Sequence, residues 1–116
     1  MQRLRRRRDF VHAYEQGRRL RTSHLLVYAS PREEGAPEGF RVGFAVGKRF
    51  GGAVARNRLR RVLREACRSA LLEPEARWDL VIVPRPEAAE AAFADLAAEL
   101  RETLQRLLPA REQYVG

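Results

Sequence analysis

The sequence predicts a single α+β domain in which helices pack on a four-stranded sheet, in the order α-β-β-β-α-β-α. Three observations carry this. Phe40, Val42, Phe44 and Val46 alternate with Arg41, Gly43 and Ala45, the period-2 pattern of a strand with one apolar face. Leu59, Val62, Leu63, Ala66, Cys67, Ala70 and Leu71 recur at helical spacing and make an apolar stripe. The run Asp79 to Pro84 (DLVIVP) is continuously apolar, as a central strand is. At 116 residues, the chain can bury one core of its own, so residues 1–116 are read as one domain.

Residues 1–8 read as a basic arm. A short helix follows from Asp9, as N-cap, to a stop at Gly17, with Phe10 and Tyr14 at i, i+4 on one face. Spacing alone makes those two rings core residues. A short strand is expected around Leu20–Thr22 and a buried strand over His24 to Ser30 (HLLVYAS). The polar loop PREEGAPEG is too long for a tight hairpin turn. It leads into the strand Phe40 to Gly47, most simply placed as the antiparallel neighbour of 24–30. Gly51-Gly52 turns the chain into the amphipathic helix, and Pro74 closes that region. Trp78 is a core or rim anchor ahead of the strand 79–84. Beyond Pro84 and Pro86, Glu87 to Leu108 reads as one long helix. Phe93, Leu96, Ala97, Leu100, Leu104, Leu107 and Leu108 form its buried face, and Pro109 stops it. Its acids lie near the start and its bases near the end, as the helix dipole favours. The tail AREQYVG carries no signal, and no internal repeat is visible.

Charge is distributed in blocks. The net charge of +8 resolves into +6 over residues 1–21, −1 over 22–47, +7 over 48–68 and −4 over 69–116. Solvated surfaces mix their signs, whereas two concentrated basic patches are the footprint of a nucleic-acid binder. Lys48 is the only lysine among the 23 basic residues, a bias that genome composition can produce, so Arg is not read as chosen over Lys position by position. Arg56, Arg60, Arg64 and Arg68 form an i+4 row opposite the apolar stripe, flanked by Asn57, Arg58 and Arg61. Such a row costs a few tenths of a kcal/mol per like-charged pair, relieved in part by Glu65, and makes sense beside a polyanion.

Protein-based catalysis is poorly supplied. The histidines, His12 and His24, fall on different elements, and the acids show no two-metal spacing. Gly51-Gly52 precedes a helix, but no GxxxxGK[ST] phosphate loop is present. Cys67 is the only cysteine and lies in the apolar stripe, which excludes a disulfide framework and points to packing. The Arg-rich start lacks the apolar run of a secretory signal, and Asp9, Glu15 and the scarcity of Ser disfavour a transit peptide. A soluble cytoplasmic protein without a membrane or an obligate protein partner is expected. Phe10, Tyr14 and Tyr28 offer rings on which unpaired bases can stack. The residues thus point to an RNA-binding domain, structured RNA preferred, with DNA left open because a basic helix also fits a major groove.

The segment RVGFAVGKRFGGAVARNRLRRVLREACR (41–68) resembles the signature of the bacterial ribonuclease P protein subunit. The carriers are Val46-Gly47-Lys48-Arg49, then Arg56-Asn57-Arg58, Arg60-Arg61 and Arg64. Asp9-Phe10 with Tyr14 and Gly17 resembles the family's first helix, and Leu26-Val27-Tyr28 its strand. Gly52 departs from the Asn found in many relatives, which weakens the helix cap. The resemblance implies a fold like the second domain of ribosomal protein S5, with a left-handed βαβ crossover against the general right-handed preference. It implies a subunit that helps remove the 5′ leader of precursor tRNA, with hydrolysis carried by a catalytic RNA and its Mg²⁺. On that reading Lys48, Arg49, Arg56, Asn57, Arg58, Arg60, Arg61, Arg64 and Arg68 contact RNA. Phe10, Tyr14 and Tyr28 line the cleft that holds the leader, and neither a catalytic side chain nor a protein metal site is expected. The alternative is a ribosomal or other structured-RNA-binding protein of similar fold.

Overall fold

In a computed structural model, residues 1–33, 35–37, 39–70 and 77–107 are described. Leu71, Pro74, Leu108, Pro109 and the tail from residue 110 lie outside them. The elements are β1 (Gln2–Arg3), α1 (Arg7–Gln16), β2 (Arg18–Arg21), β3 (Leu25–Pro31), β4 (Gly39–Phe44), α2 (Ala53–Ala70), β5 (Arg77–Pro84) and α3 (Phe93–Leu107). Short 3-10 turns occupy Lys48–Phe50 and Pro86–Glu90.

The apolar run of β5 takes the centre of the sheet, where both of its edges and both of its faces are covered. The strand order is β1-β4-β5-β3-β2. β5 pairs antiparallel with β3, from Leu25↔Pro84 to Pro31↔Trp78, and parallel with β4, from Gly39↔Arg77 to Phe44↔Ile82. The expectation that β3 and β4 are neighbours is therefore wrong. β5 inserts between them, because a strand apolar on both faces gains more from the middle of a sheet than from an edge. β4, α2 and β5 form the parallel βαβ unit to which the expected left-handed crossover refers.

The sheet has five strands where four were expected. Gln2 and Arg3 of the basic arm pair parallel with Arg41 and Val42, Leu4 N–H donates to Val42 O at 3.0 Å, and Leu4 is buried. One apolar residue among five arginines thus ties the arm down. The first helix starts at Arg7 rather than after Asp9. Arg6 holds the N-cap position without a side-chain cap, and Asp9 sits inside the first turn, where its charge suits the helix dipole. The long C-terminal helix is divided. Pro86 starts a separate 3-10 turn, Ala91 is extended, and α3 begins only at Phe93.

Two apolar layers flank the sheet. On one face, Val27, Val42, Leu80 and Ile82 pack with Leu63, Ala66 and Cys67 of α2 and Leu96, Leu100 and Leu104 of α3. On the other, α1 lays Ala13 over Val81 together with Leu4, with Phe10, Tyr28, Ala45 and Val83 half-buried around them. Glu99 fixes α3 to the β2–β3 turn, its carboxylate accepting from Thr22 Oγ1 at 2.9 Å and from His24 N–H at 3.1 Å.

Candidate nucleic-acid interface

Gly51 has φ of +111°, a conformation that a side chain would strain, and it swings the chain from the 3-10 turn into α2. Gly52 follows as N-cap, its carbonyl accepting from Arg56 N–H at 3.0 Å. Leu59, Leu63, Ala66 and Cys67 then bury the apolar stripe, and Val62 and Ala70 pack at its margin. That burial fixes the roll of the helix and hence the direction of its arginines.

Asn57, Arg60, Arg61 and Arg64 line a cavity of about 520 Å³, closed from the other side by Arg3, Leu4, Phe10, Gly43 and Phe44. Arg60 donates to Asn57 Oδ1 at 2.9 Å, holding both over the opening. Four cations around one partly enclosed space, with aromatic and glycine walls, suit a phosphate with a base beside it. The other predicted cations are placed differently. Arg68 turns to Glu65 at 2.8 Å, and Arg58, Lys48 and Arg49 are exposed away from the cavity walls. Arg56 is half-buried, with its Nε lacking a hydrogen-bond partner among the described residues.

The three predicted aromatics share one face. Phe10 and Tyr14 come from consecutive turns of α1, and Tyr28 from β3 beneath them. The Tyr14 and Tyr28 rings meet edge to face at 4.9 Å between centroids, at 76°. Tyr14 remains 41% exposed, so its ring is available to a ligand as well as to its neighbour. Burial, then the neighbouring Tyr28, pushes its phenol above the ordinary range. Phe10 belongs both to this face and to the wall of the arginine cavity. The two sites read separately in the sequence are therefore contiguous.

A buried charge network that the sequence did not reveal holds α1 in register. Asp79 is 6% exposed and takes a bidentate pair from Arg41, Nε to Oδ1 at 2.7 Å and Nη2 to Oδ2 at 2.6 Å. Arg32 approaches Asp79 at 3.7 Å, and Arg41 reaches Asp9 of α1 at 3.7 Å. The hydrogen bond to Asp79 raises the Arg41 pKa, against a smaller opposing effect of burial. Ser30 and His12 Nδ1 meet at 3.4 Å beside this network. The register of β4 against β5 places Arg41 opposite Asp79 on one face, so their pairing across 38 residues depends on those two strands being neighbours. Arg3, Leu4, Gly43 and Phe44 were also unassigned. For Leu4 the available signal was an isolated apolar residue within an arginine run.

Burial pushes the Cys67 thiol up to about 12, which makes it a packing group and not a nucleophile. Among the described residues, no group of three His, Cys, Asp or Glu gathers as metal ligands, and no helix is long and apolar enough to cross a membrane.

Residues 1–108 match the Ribonuclease P family. The ribonuclease P protein component of Acidothermus cellulolyticus is 44% identical over 105 residues, covering 90% of this chain and 87% of that one. That of Desulfovibrio desulfuricans is 44% identical over 109 residues, covering 90% and 82%. The solved RNase P protein from Thermotoga maritima superposes with a TM-score of 0.76 at 28% identity, covering 94% of this chain and all (100%) of that one. The Staphylococcus aureus RNase P protein gives 0.75 at 25% identity, covering 91% and 94%.

Proposed function

Since the chain belongs to the ribonuclease P protein family, we propose that it is the protein subunit of that ribonucleoprotein, binding the catalytic RNA and the 5′ leader of precursor tRNA. The single observation that carries this is the continuity through Phe10 of an arginine-lined cavity and an aromatic face. A protein that only bound a structured RNA would need the cations. The exposed Tyr14 ring, edge-packed on the half-buried Tyr28 with Phe10 beside it on the sheet face opposite α2, adds a surface for unpaired bases.

In this reading α2, with Lys48 and Arg49 before it, contacts the phosphates of the catalytic RNA. Phe10, Tyr14 and Tyr28 stack the first leader nucleotides as they leave the cleavage junction. The protein's part in the reaction is positioning, and hydrolysis belongs to the RNA. Mg²⁺ also belongs with the RNA. Asp79 and Asp9 are engaged by Arg41 and Glu65 by Arg68, so these carboxylates are held by cations and the cavity wall presents donors to phosphate. The compartment follows the partners and is the cytoplasm.

The test is reconstitution. Mixed with catalytic RNA at low Mg²⁺, the protein should speed 5′-leader removal over RNA alone. Ala substitution of Phe10, Tyr14 and Tyr28 should cost affinity for precursor tRNA but not for mature tRNA. No gain over RNA alone would reject the assignment. A gain insensitive to the aromatics would favour a structured-RNA binder without a leader cleft. Precursor cleaved by the protein without RNA would make it a nuclease in its own right.

A further inference from the structure

Arg19 and Arg21 of β2 have no part in the site described so far. Cross-strand partners point to the same face of a sheet. Arg19 pairs with Tyr28, and Arg21 with Leu26. Tyr28 packs in the α1-side layer, so both arginines project from that face too. Leu20 between them packs into the opposite layer, which fixes the alternation independently. Both arginines are exposed, and neither has an ion pair among the described residues.

Their position completes a line across the sheet. Tyr28 is paired with Val81, and Val81 with Gly43, on which the Phe10 ring rests. Beyond Gly43 opens the cavity of Arg60, Arg61 and Arg64. Val81 itself is buried beneath Ala13 of α1, so the groups left accessible along this line are the free cations, the Tyr28 and Tyr14 rings, the Phe10 ring and the cation cluster. From β2 to β4 the line spans three strand spacings, about 14 Å at roughly 4.8 Å each. A stacked single strand, at about 3.4 Å per nucleotide, covers that distance in roughly four.

We propose that Arg19 and Arg21 are a distal phosphate-binding site for the precursor's leader, gripping the nucleotides that have passed the aromatic row. The proposal rests on the reading of the α1-side cleft as the leader site. With α2 at the catalytic RNA, the junction lies at the Phe10 end, and β2 is reached only by a longer leader. Arginines on an edge strand also discourage edge-to-edge pairing. That role is indifferent to leader length, and Arg18, whose partner is Ala29 in the opposite layer, would serve it equally.

The experiment uses the complex reconstituted with catalytic RNA and precursor tRNAs whose leaders lengthen one nucleotide at a time. Affinity is measured for the wild type, the double variant Arg19→Gln/Arg21→Gln and the control Arg18→Gln, after matching melting curves. The wild type should gain affinity with leader length to a plateau. The double variant should reach its plateau at a shorter leader, and its salt dependence on long leaders should be shallower by about 1.4, at about 0.7 per single-strand phosphate contact. The control should follow the wild type. A double variant with the wild-type length dependence overturns this proposal alone, as does equal loss at every length or an equal loss in Arg18→Gln. A wild type indifferent to leader length overturns the leader reading and this proposal with it.

Discussion

Gly43 carries the Phe10 ring where any other residue would push it away. A methyl built on Gly43 would overlap Phe10 Cζ and lie 2.7 Å from Phe10 Cε1 and 3.1 Å from Leu4 Cβ. The ring end of Phe10 is free to swing, so relief is available, but only by lifting the ring off the sheet. Gly43→Ala should therefore destabilise the domain by about 1 kcal/mol, the low end for overpacking, and weaken leader-dependent binding through Phe10. In a Phe10→Ala background the same change should cost much less, and a double-mutant cycle by urea unfolding measures the difference. Equal costs in the two backgrounds would mean that the ring is not what the methyl meets. Residue-level legibility was uneven for the same reason. Spacing on one helix was enough to put Phe10 and Tyr14 together. It could not show that Gly43 makes the room for Phe10, because that contact joins residues 33 positions apart.

At the scale of elements, α2 combines a secure apolar side with a weak start. Its first turn contains no acid, and its N-cap, Gly52, has no side chain to accept from the free N–H groups. Nothing lies within 4 Å of a Cβ built on Gly52, and its φ is not positive. Gly52→Asn should then raise stability by a few tenths of a kcal/mol, read as a higher urea midpoint at unchanged m. A lower midpoint would show that the turn needs glycine for a reason other than capping. The periodic elements were readable: the stripe of α2, the alternation of β4 and the run of β5 each come from local pattern. What pattern could not give was adjacency. β5 separates β3 from β4 because of what it buries, and β1 exists because Leu4 finds a place beside β4. Both are decisions of the assembled sheet. The break between Pro86 and Phe93 was signalled by the proline, but the acids and alanines that follow carry the helical pattern straight through it.

The whole molecule separates its charge, and the fold turns that separation into a direction. The two basic blocks, +6 and +7, become the arm with α1 and β2, and α2, which meet at the cavity between Arg3 and Arg60. The −4 block supplies β5 and α3; α3 packs beside α2 on the face away from α1, while the arginines Arg60, Arg61 and Arg64 of α2 turn to the cavity. In the proposed function, this asymmetry would steer an approaching polyanion to the cavity side. The sequence contained this asymmetry as a count along the chain. Only the sheet order shows that blocks far apart in sequence form one surface, since β1 brings the arm to β4 and the roll of α2 brings its arginines to the same edge. The arginines of α2 should therefore be unequal, although a charge count treats them alike. Arg60 faces the cavity and bonds to Asn57, a neutral partner, so its charge is available to a phosphate. Arg68 is already paired with Glu65 at 2.8 Å. Each phosphate contact contributes about one unit to the dependence of log affinity on log salt. Arg60→Ala should make that slope shallower by about one, across RNA sequences alike. Arg68→Ala should change it by clearly less, because its removal frees the Glu65 carboxylate and displaces few counterions. The pair is measured by titrating catalytic RNA at several salt concentrations. Equal slopes for the two variants would mean that RNA contacts α2 along its whole length, and the cavity would lose its claim to be the centre of the interface.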